Sequence, residues 1–219
     1  LALAGIASAA SAERAASMLR VALLLPTSST PSERPFLQAL RELGQDLNSI
    51  INREPPQTQF DFRDSVGKYD RPIVAHETGQ WCVYPDFREI PKYTGVLRAG
   101  NFEIFKDDLE AKGMRDLAGA FVEASGKLQA LCYKSDIEAA LRTPGMAGFQ
   151  LLGLHDFSGQ GTALVGILNA FSEQKGYISP DEFRTFCSPT VPLARMANLV
   201  FTNDETFTVD LEVAHFGEL

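Results

Sequence analysis

Two short apolar runs, each closing on polar residues, stand out along the chain. The first is Pro72-Ile73-Val74-Ala75, which runs into His76-Glu77-Thr78-Gly79-Gln80-Trp81. The second is Gly148-Phe149-Gln150-Leu151-Leu152-Gly153-Leu154, which runs into His155-Asp156-Phe157-Ser158-Gly159-Gln160-Gly161. Each reads as a strand apolar on both faces, the texture of parallel strands covered by helices. About seventy residues with helical signals lie between them. Asn101 reads as the N-cap of a helix over Phe102–Lys112, with Gly113 as its stop. A longer helix follows from about Arg115 to Arg142. Leu117, Phe121, Ala124, Leu128, Leu131, Ile137 and Leu141 mark its apolar face. Two helices meeting near Ser125-Gly126 fit the pattern as well, and Thr143-Pro144-Gly145 ends the element.

Strand, helices, strand is the repeat of an α/β fold, either a barrel or an open sheet. In a barrel the chemistry gathers at the C-terminal ends of the strands. His76-Glu77 and His155-Asp156 occupy those ends.

The flanks add further elements. Leu37, Leu40, Leu43, Leu47 and Ile50 recur at helical spacing and predict an amphipathic helix over Phe36–Ile51. Met18–Pro26 is a short apolar run that fits a strand or a helix. Cys82 to Asn101 is a loop rich in aromatics and prolines, and so long a loop after a central strand is usually functional. Downstream, Thr162–Phe171 predicts a short apolar helix. Ser179-Pro180-Asp181-Glu182 predicts a capped helix start. From Val191 the texture turns to β: Leu199–Thr202 and Phe207–Val213 predict strands joined at Asn203-Asp204-Glu205. Three regions follow: an unassigned segment 1–46, an α/β unit 47–190, and the opening of a separate β-domain at 191–219.

Composition narrows the function classes. The net charge is −8 and basic residues form no run, which argues against nucleic-acid binding. No uninterrupted apolar stretch is long enough to span a bilayer. Cys82, Cys132 and Cys187 are far apart and odd in number, the pattern of free thiols rather than of a disulfide framework or zinc site. The Ala-rich stretch Leu1–Ser17, with Ala10-Ser11-Ala12 closing an apolar run, reads either as the end of a secretory signal or as a weak Ala-rich helix.

Among polar residues, Glu77 carries the sharpest chemistry. A carboxylate at the mouth of a buried strand needs partners or a task. It serves either as a hydrogen-bonded structural group or as a nucleophile of the kind used in glycoside cleavage. His76-Glu77 lacks the H-E-x-x-H spacing of a zinc protease, because Gln80 stands at the second His position. There is no G-x-S-x-G elbow, and Ser158–Gly161 lacks the lysine of a phosphate loop. Gln80, Asp156 and Gln160 fit either hydroxyl recognition or loop capping. Trp81, the only tryptophan, fits either a stacking platform or a packing role.

At these residues the sequence resembles glycoside hydrolase family 2, which includes β-galactosidases, β-mannosidases and β-glucuronidases. Val74-Ala75-His76-Glu77-Thr78-Gly79-Gln80 is similar to the family's seventh barrel strand, which ends in the nucleophilic glutamate. Gly148-Phe149-Gln150-Leu151-Leu152-Gly153-Leu154-His155-Asp156-Phe157 is similar to its eighth. Leu199-Val200-Phe201-Thr202-Asn203-Asp204 resembles the start of the β-sandwich that follows the barrel. The resemblance runs from about Ile50 onward. It implies the C-terminal portion of a (β/α)8 barrel and the first strands of a sandwich. It also implies a retaining exo-β-glycosidase, most nearly β-galactosidase-like, acting on oligo- or polysaccharides without a cofactor or metal. Glu77 would be the nucleophile, with His76, Gln80, Trp81, Asp156 and Gln160 as the sugar subsite. Periplasmic or secreted location and self-association through exposed barrel edges are the accompanying expectations.

The sequence also departs from the family. The acid/base of that family is a glutamate in an Asn-Glu pair, and no such pair occurs in this chain. The isolated polypeptide is therefore expected to be inactive. The alternative is a non-catalytic remnant that packs or binds carbohydrate.

Overall fold

A computed structural model describes residues 55–157 and 163–217. The expected strand or helix at Met18–Pro26 and helix at Phe36–Ile51 lie outside them. Within them the protein is mixed α/β, with two small sheets and few helices. A single helical turn α1 (Arg63–Val66) precedes strand β1 (Ile73–Thr78). A 3-10 helix (Phe87–Lys92), helix α2 (Gly100–Ala111) and the 24-residue helix α3 (Ala118–Leu141) lead to strand β2 (Met146–Leu151). The short helix α4 (Pro180–Arg184) and strands β3 (Thr190–Arg195) and β4 (Asp210–His215) complete the order.

The two apolar runs do form parallel neighbours. Ile73 pairs with Met146, Val74 with Gly148, Ala75 with Phe149 and Thr78 with Leu151. They are not apolar-buried on both faces, however. Val74 is 45% exposed, and neither strand has a fully buried residue. The sheet has only these two strands among the described residues; α3 covers one face through Phe149 and Leu151, while the face that carries Val74 and the outer edges stay open.

Helix α2 begins two residues early for an Asn101 cap. Ala99 holds the N-cap position without a side-chain bond, and Asn101 lies inside the helix. Gly113 (φ +69) stops the chain as expected, because the left-handed region suits glycine. Helix α3 runs unbroken through Ser125-Gly126, after a 3-10 turn at Arg115–Leu117. Its buried face is not the leucine stripe. Leu128 and Leu131 are 61% and 64% exposed, whereas Val122, Gly126, Gln129, Tyr133, Ile137 and Ala140 point inward. Gly126 makes that rotation possible: a Cβ there would lie 2.2 Å from the Tyr177 ring. Gln129 is buried because its amide is fully used, as described below.

The predicted helix Thr162–Phe171 does not form. From Ala163 the chain is extended: Leu168 donates to Leu154 O and accepts from Asp156 N, both at 3.0 Å. Tertiary bonds thus claim the backbone groups a helix would use. Ser179 and Glu182 form a complete capping box on α4, as the sequence predicts.

The β-hairpin is real but its first strand is misplaced in the sequence reading. β4 pairs antiparallel with β3 (Thr190–Arg195), and Leu199–Thr202 is irregular. Phe207–Val209 is likewise outside the ladder. The Asn203-Asp204-Glu205 turn holds: Glu205 Oε2 accepts from Thr202 N at 2.6 Å. Arg195 fastens the hairpin to the rest. It pairs with Asp61 at 2.9 Å and with Glu212, and it donates to the carbonyls of Gln59 and Arg142. Burial acts against ionisation of Asp61, yet hydrogen bonds from Arg63 and Arg195 hold it down at about 2.

The core is built in three adjoining clusters. Phe102, Val83, Leu164 and Tyr177 pack the long loop onto α2. Tyr133, Ile137 and Phe186 join α3 to β2. Val191, Leu193 and Ala214 seat the hairpin.

Candidate functional site

The end of β1 is irregular where the chemistry-bearing residues begin. Between the pairs Ala75–Phe149 and Thr78–Leu151, β1 holds one more residue than β2. That extra residue makes a bulge, and Glu77 within it has φ 55. A glutamate in the left-handed region costs energy, and bulges of this kind re-aim side chains. Gly79 (φ +88) follows at once. A Cβ on it would lie 1.9 Å from the Tyr133 ring, so the chain turns here only by pressing bare backbone onto α3.

This backbone brings three predicted residues together. Glu77 Oε2 accepts from Gln80 Nε2 at 3.2 Å, and Glu77 Oε1 lies 3.8 Å from His76 Nε2. His76 Nδ1 lies 2.9 Å from Gln150 Oε1 on β2, and its Nε2 faces Glu77. The Glu77 side chain is 32% exposed, so one side of the carboxylate is open to solvent. A carboxylate in that position is available to attack or to accept a proton. The Gln80 amide and the imidazole are available to hydrogen-bond hydroxyl groups.

Trp81 turns elsewhere. Its indole Nε1 donates to Asp136 Oδ2 on α3 at 2.9 Å, and its carbonyl accepts from Gln129 Nε2 at 2.6 Å. The Tyr177 hydroxyl meets Gln129 Oε1, and the Tyr133 hydroxyl donates to Val165 O at 2.8 Å. A buried polar chain thus runs from the loop after β1, through α3, to the 165–177 segment.

Asp156 is in a different place from Glu77. Beyond the end of β2 it is only 5% exposed. Its Oδ1 accepts from Lys175 Nζ at 2.7 Å and from Gly166 N at 2.9 Å. Lys175 also donates to Gly166 O at 2.8 Å. Burial pushes Asp156 up and Lys175 down, while their contact with each other opposes both. Beside them lies Glu89, 4% exposed, whose Oε2 has no hydrogen-bond partner. Burial pushes this carboxyl up to about 7; Asp156 adds to the rise and Lys175 opposes it. Glu89, Asp156 and Lys175 line a narrow cleft with Val83, Tyr84 and Phe102.

The structure therefore unites His76, Glu77 and Gln80, places Trp81 against α3, and sets Asp156 in a separate buried cluster. Gln160 lies outside the described residues. Glu89, Gln129, Lys175 and Gln150 escaped the sequence reading. Gln129 had a signal, since a glutamine in phase with Val122, Tyr133 and Ile137 belongs to a buried face. Lys175 had none, because its partner is nineteen residues away across an irregular segment. Among the described residues, no three His, Cys, Asp or Glu side chains are grouped to hold a metal ion. No helix among them is long and apolar enough to cross a membrane. No protein-family model matches the chain, and no curated protein matches it.

Proposed function

We propose that this chain is the C-terminal part of the catalytic barrel of a retaining exo-β-glycosidase, most nearly β-galactosidase-like, with the first strands of a β-sandwich after it. The observation that carries the reading is the bulge at the end of β1. It spends backbone strain on presenting Glu77, flanked by His76 and Gln80, beside a parallel neighbour strand. Strain of this kind concentrates where side-chain direction matters to function.

In this reading Glu77 attacks the anomeric carbon as a second carboxyl group, about 5–5.5 Å away, protonates the departing oxygen. Water then hydrolyses the glycosyl-enzyme ester with the second group acting as base. Gln80 and His76 steady the Glu77 carboxylate and contact sugar hydroxyls. The acid/base glutamate is supplied by sequence other than this chain, which has no Asn-Glu pair. The open faces of the β1–β2 sheet and of α3 support self-association of the isolated chain.

That same lack of an Asn-Glu pair favours a second reading for this polypeptide taken alone, a module that binds carbohydrate without cleaving it. Hydrolysis of nitrophenyl β-glycosides separates the two. With the chain in its full-length enzyme, Glu77→Gln should lower turnover by several orders of magnitude while the fold survives. Activity within a few-fold of wild type would make Glu77 a structural or sugar-binding carboxylate.

A further inference from the structure

We propose that Glu89 and the Asp156–Lys175 pair form a proton-operated latch: uncharged Glu89 lets the 82–99 loop close over the end of β2, and ionised Glu89 loosens it. Glu89 is carried by the 3-10 helix inside that loop, whereas Asp156 and Lys175 belong to the segments following β2. The latch therefore joins two separate pieces of chain.

Its logic is one of charge counting in a dry place. Among the described residues Lys175 is the one cation lining the cleft, and its ammonium is already committed to Asp156 Oδ1 and Gly166 O. The Asp156–Lys175 pair is neutral as a unit. A third charge on Glu89 would leave the cluster with one uncompensated negative charge and would face Asp156 directly. Of the remaining neighbours, Asp86 adds to the repulsion and Lys92 offsets it only in part. On its own segment Asp86 is held by Arg88, and Lys92 is engaged by Glu173. Tyr84 and Tyr93 stand nearby as phenols, and Cys82 and His155 lie toward Lys175 and Asp156 respectively. Helices α2 and α3 contribute only Phe102 and Val122 to the cleft. With Oε2 unpartnered, the carboxylate form has no donor to compensate its desolvation there.

The sign follows from linkage. Burial, with Asp156 next to it, raises the Glu89 carboxyl to about 7 in the closed form, against an ordinary value of 4.5. The closed form thus holds a proton that the open form releases. Opening should grow about tenfold per pH unit between those two values and level off above the upper one.

Hydrogen exchange of the full 219-residue chain tests this. Two loop amides report closure: Val83 N–H donates to Leu164 O at 3.0 Å, and Tyr84 N–H donates to Ser125 Oγ at 2.9 Å. After correction for intrinsic exchange, their protection should fall about 40-fold from about pH 5 to about pH 7 and level off just above it. Glu89→Gln, which keeps the shape but cannot ionise, should abolish that dependence. A flat wild-type profile, or a fall that persists in Glu89→Gln, overturns the proposal. Should the variant misfold, the wild-type curve alone decides: a fall that continues well above neutral pH also overturns it.

Discussion

Two groups of polar residues lie beyond the ends of neighbouring parallel strands, and they differ in nearly every physical respect. The His76–Glu77–Gln80 group after β1 is held by strained backbone and is partly open to water. Its internal contacts are long, at 3.2 and 3.8 Å. The Glu89–Asp156–Lys175 group after β2 is buried. It is tied by short contacts of 2.7 and 2.8 Å and shifted away from ordinary protonation. A carboxylate meant to react must stay accessible and be only loosely satisfied. A carboxylate meant to hold segments together must be desolvated and paired. The contrast fits the proposed reading of the first group as reactive and gives the second group a cohesive role.

The largest expected effect lies in the second group. Lys175→Met keeps most of the side-chain bulk but strands Asp156 as an uncompensated buried charge. Unfolding by urea should show a loss of about 3–5 kcal/mol at neutral pH. Much of that loss should return in acid, where Asp156 becomes neutral. A loss under about 1 kcal/mol would mean that the cluster is not cohesive, since a solvent-exposed pair is worth no more than that.

The smallest effect lies in the first group. Glu77→Gln retains a side chain that still faces solvent, with Gln80 and His76 beside it. Its stability should stay within about 0.5 kcal/mol of wild type by the same urea titration. A loss comparable to that of Lys175→Met would erase the distinction and return Glu77 to a structural role.

The legibility of these two groups in the sequence differs for the same reason that their physics does. The β1 end is local: His76, Glu77 and Gln80 lie within five residues, and Gly79 marks the turn. The capping box Ser179/Glu182 and the turn at Asn203-Asp204-Glu205 were legible on the same grounds. The β2 end is assembled from three distant stretches, and nothing near Lys175 or Glu89 announces the partner. Local pattern also misled where tertiary contacts overrode it. Leu128 and Leu131 of α3 face outward because Gly126 admits Tyr177 and Gln129 is satisfied by Trp81 and Tyr177. Strand β3 carries Pro192, which a sheet of two strands tolerates because both strands are edges.

The central claim is that Glu77 is the group that bonds to carbon. Incubation of the full-length enzyme with a 2-deoxy-2-fluoro-β-glycoside bearing a dinitrophenyl leaving group tests it most directly. That leaving group departs without protonation, and the fluorine slows hydrolysis of the ester, so the bond persists for peptide mapping. The account predicts one fluoro-sugar per chain, attached to Glu77 in the Arg71–Trp81 region, and no label in Glu77→Gln. Stoichiometric label on a different carboxylate, undiminished in Glu77→Gln, would contradict it.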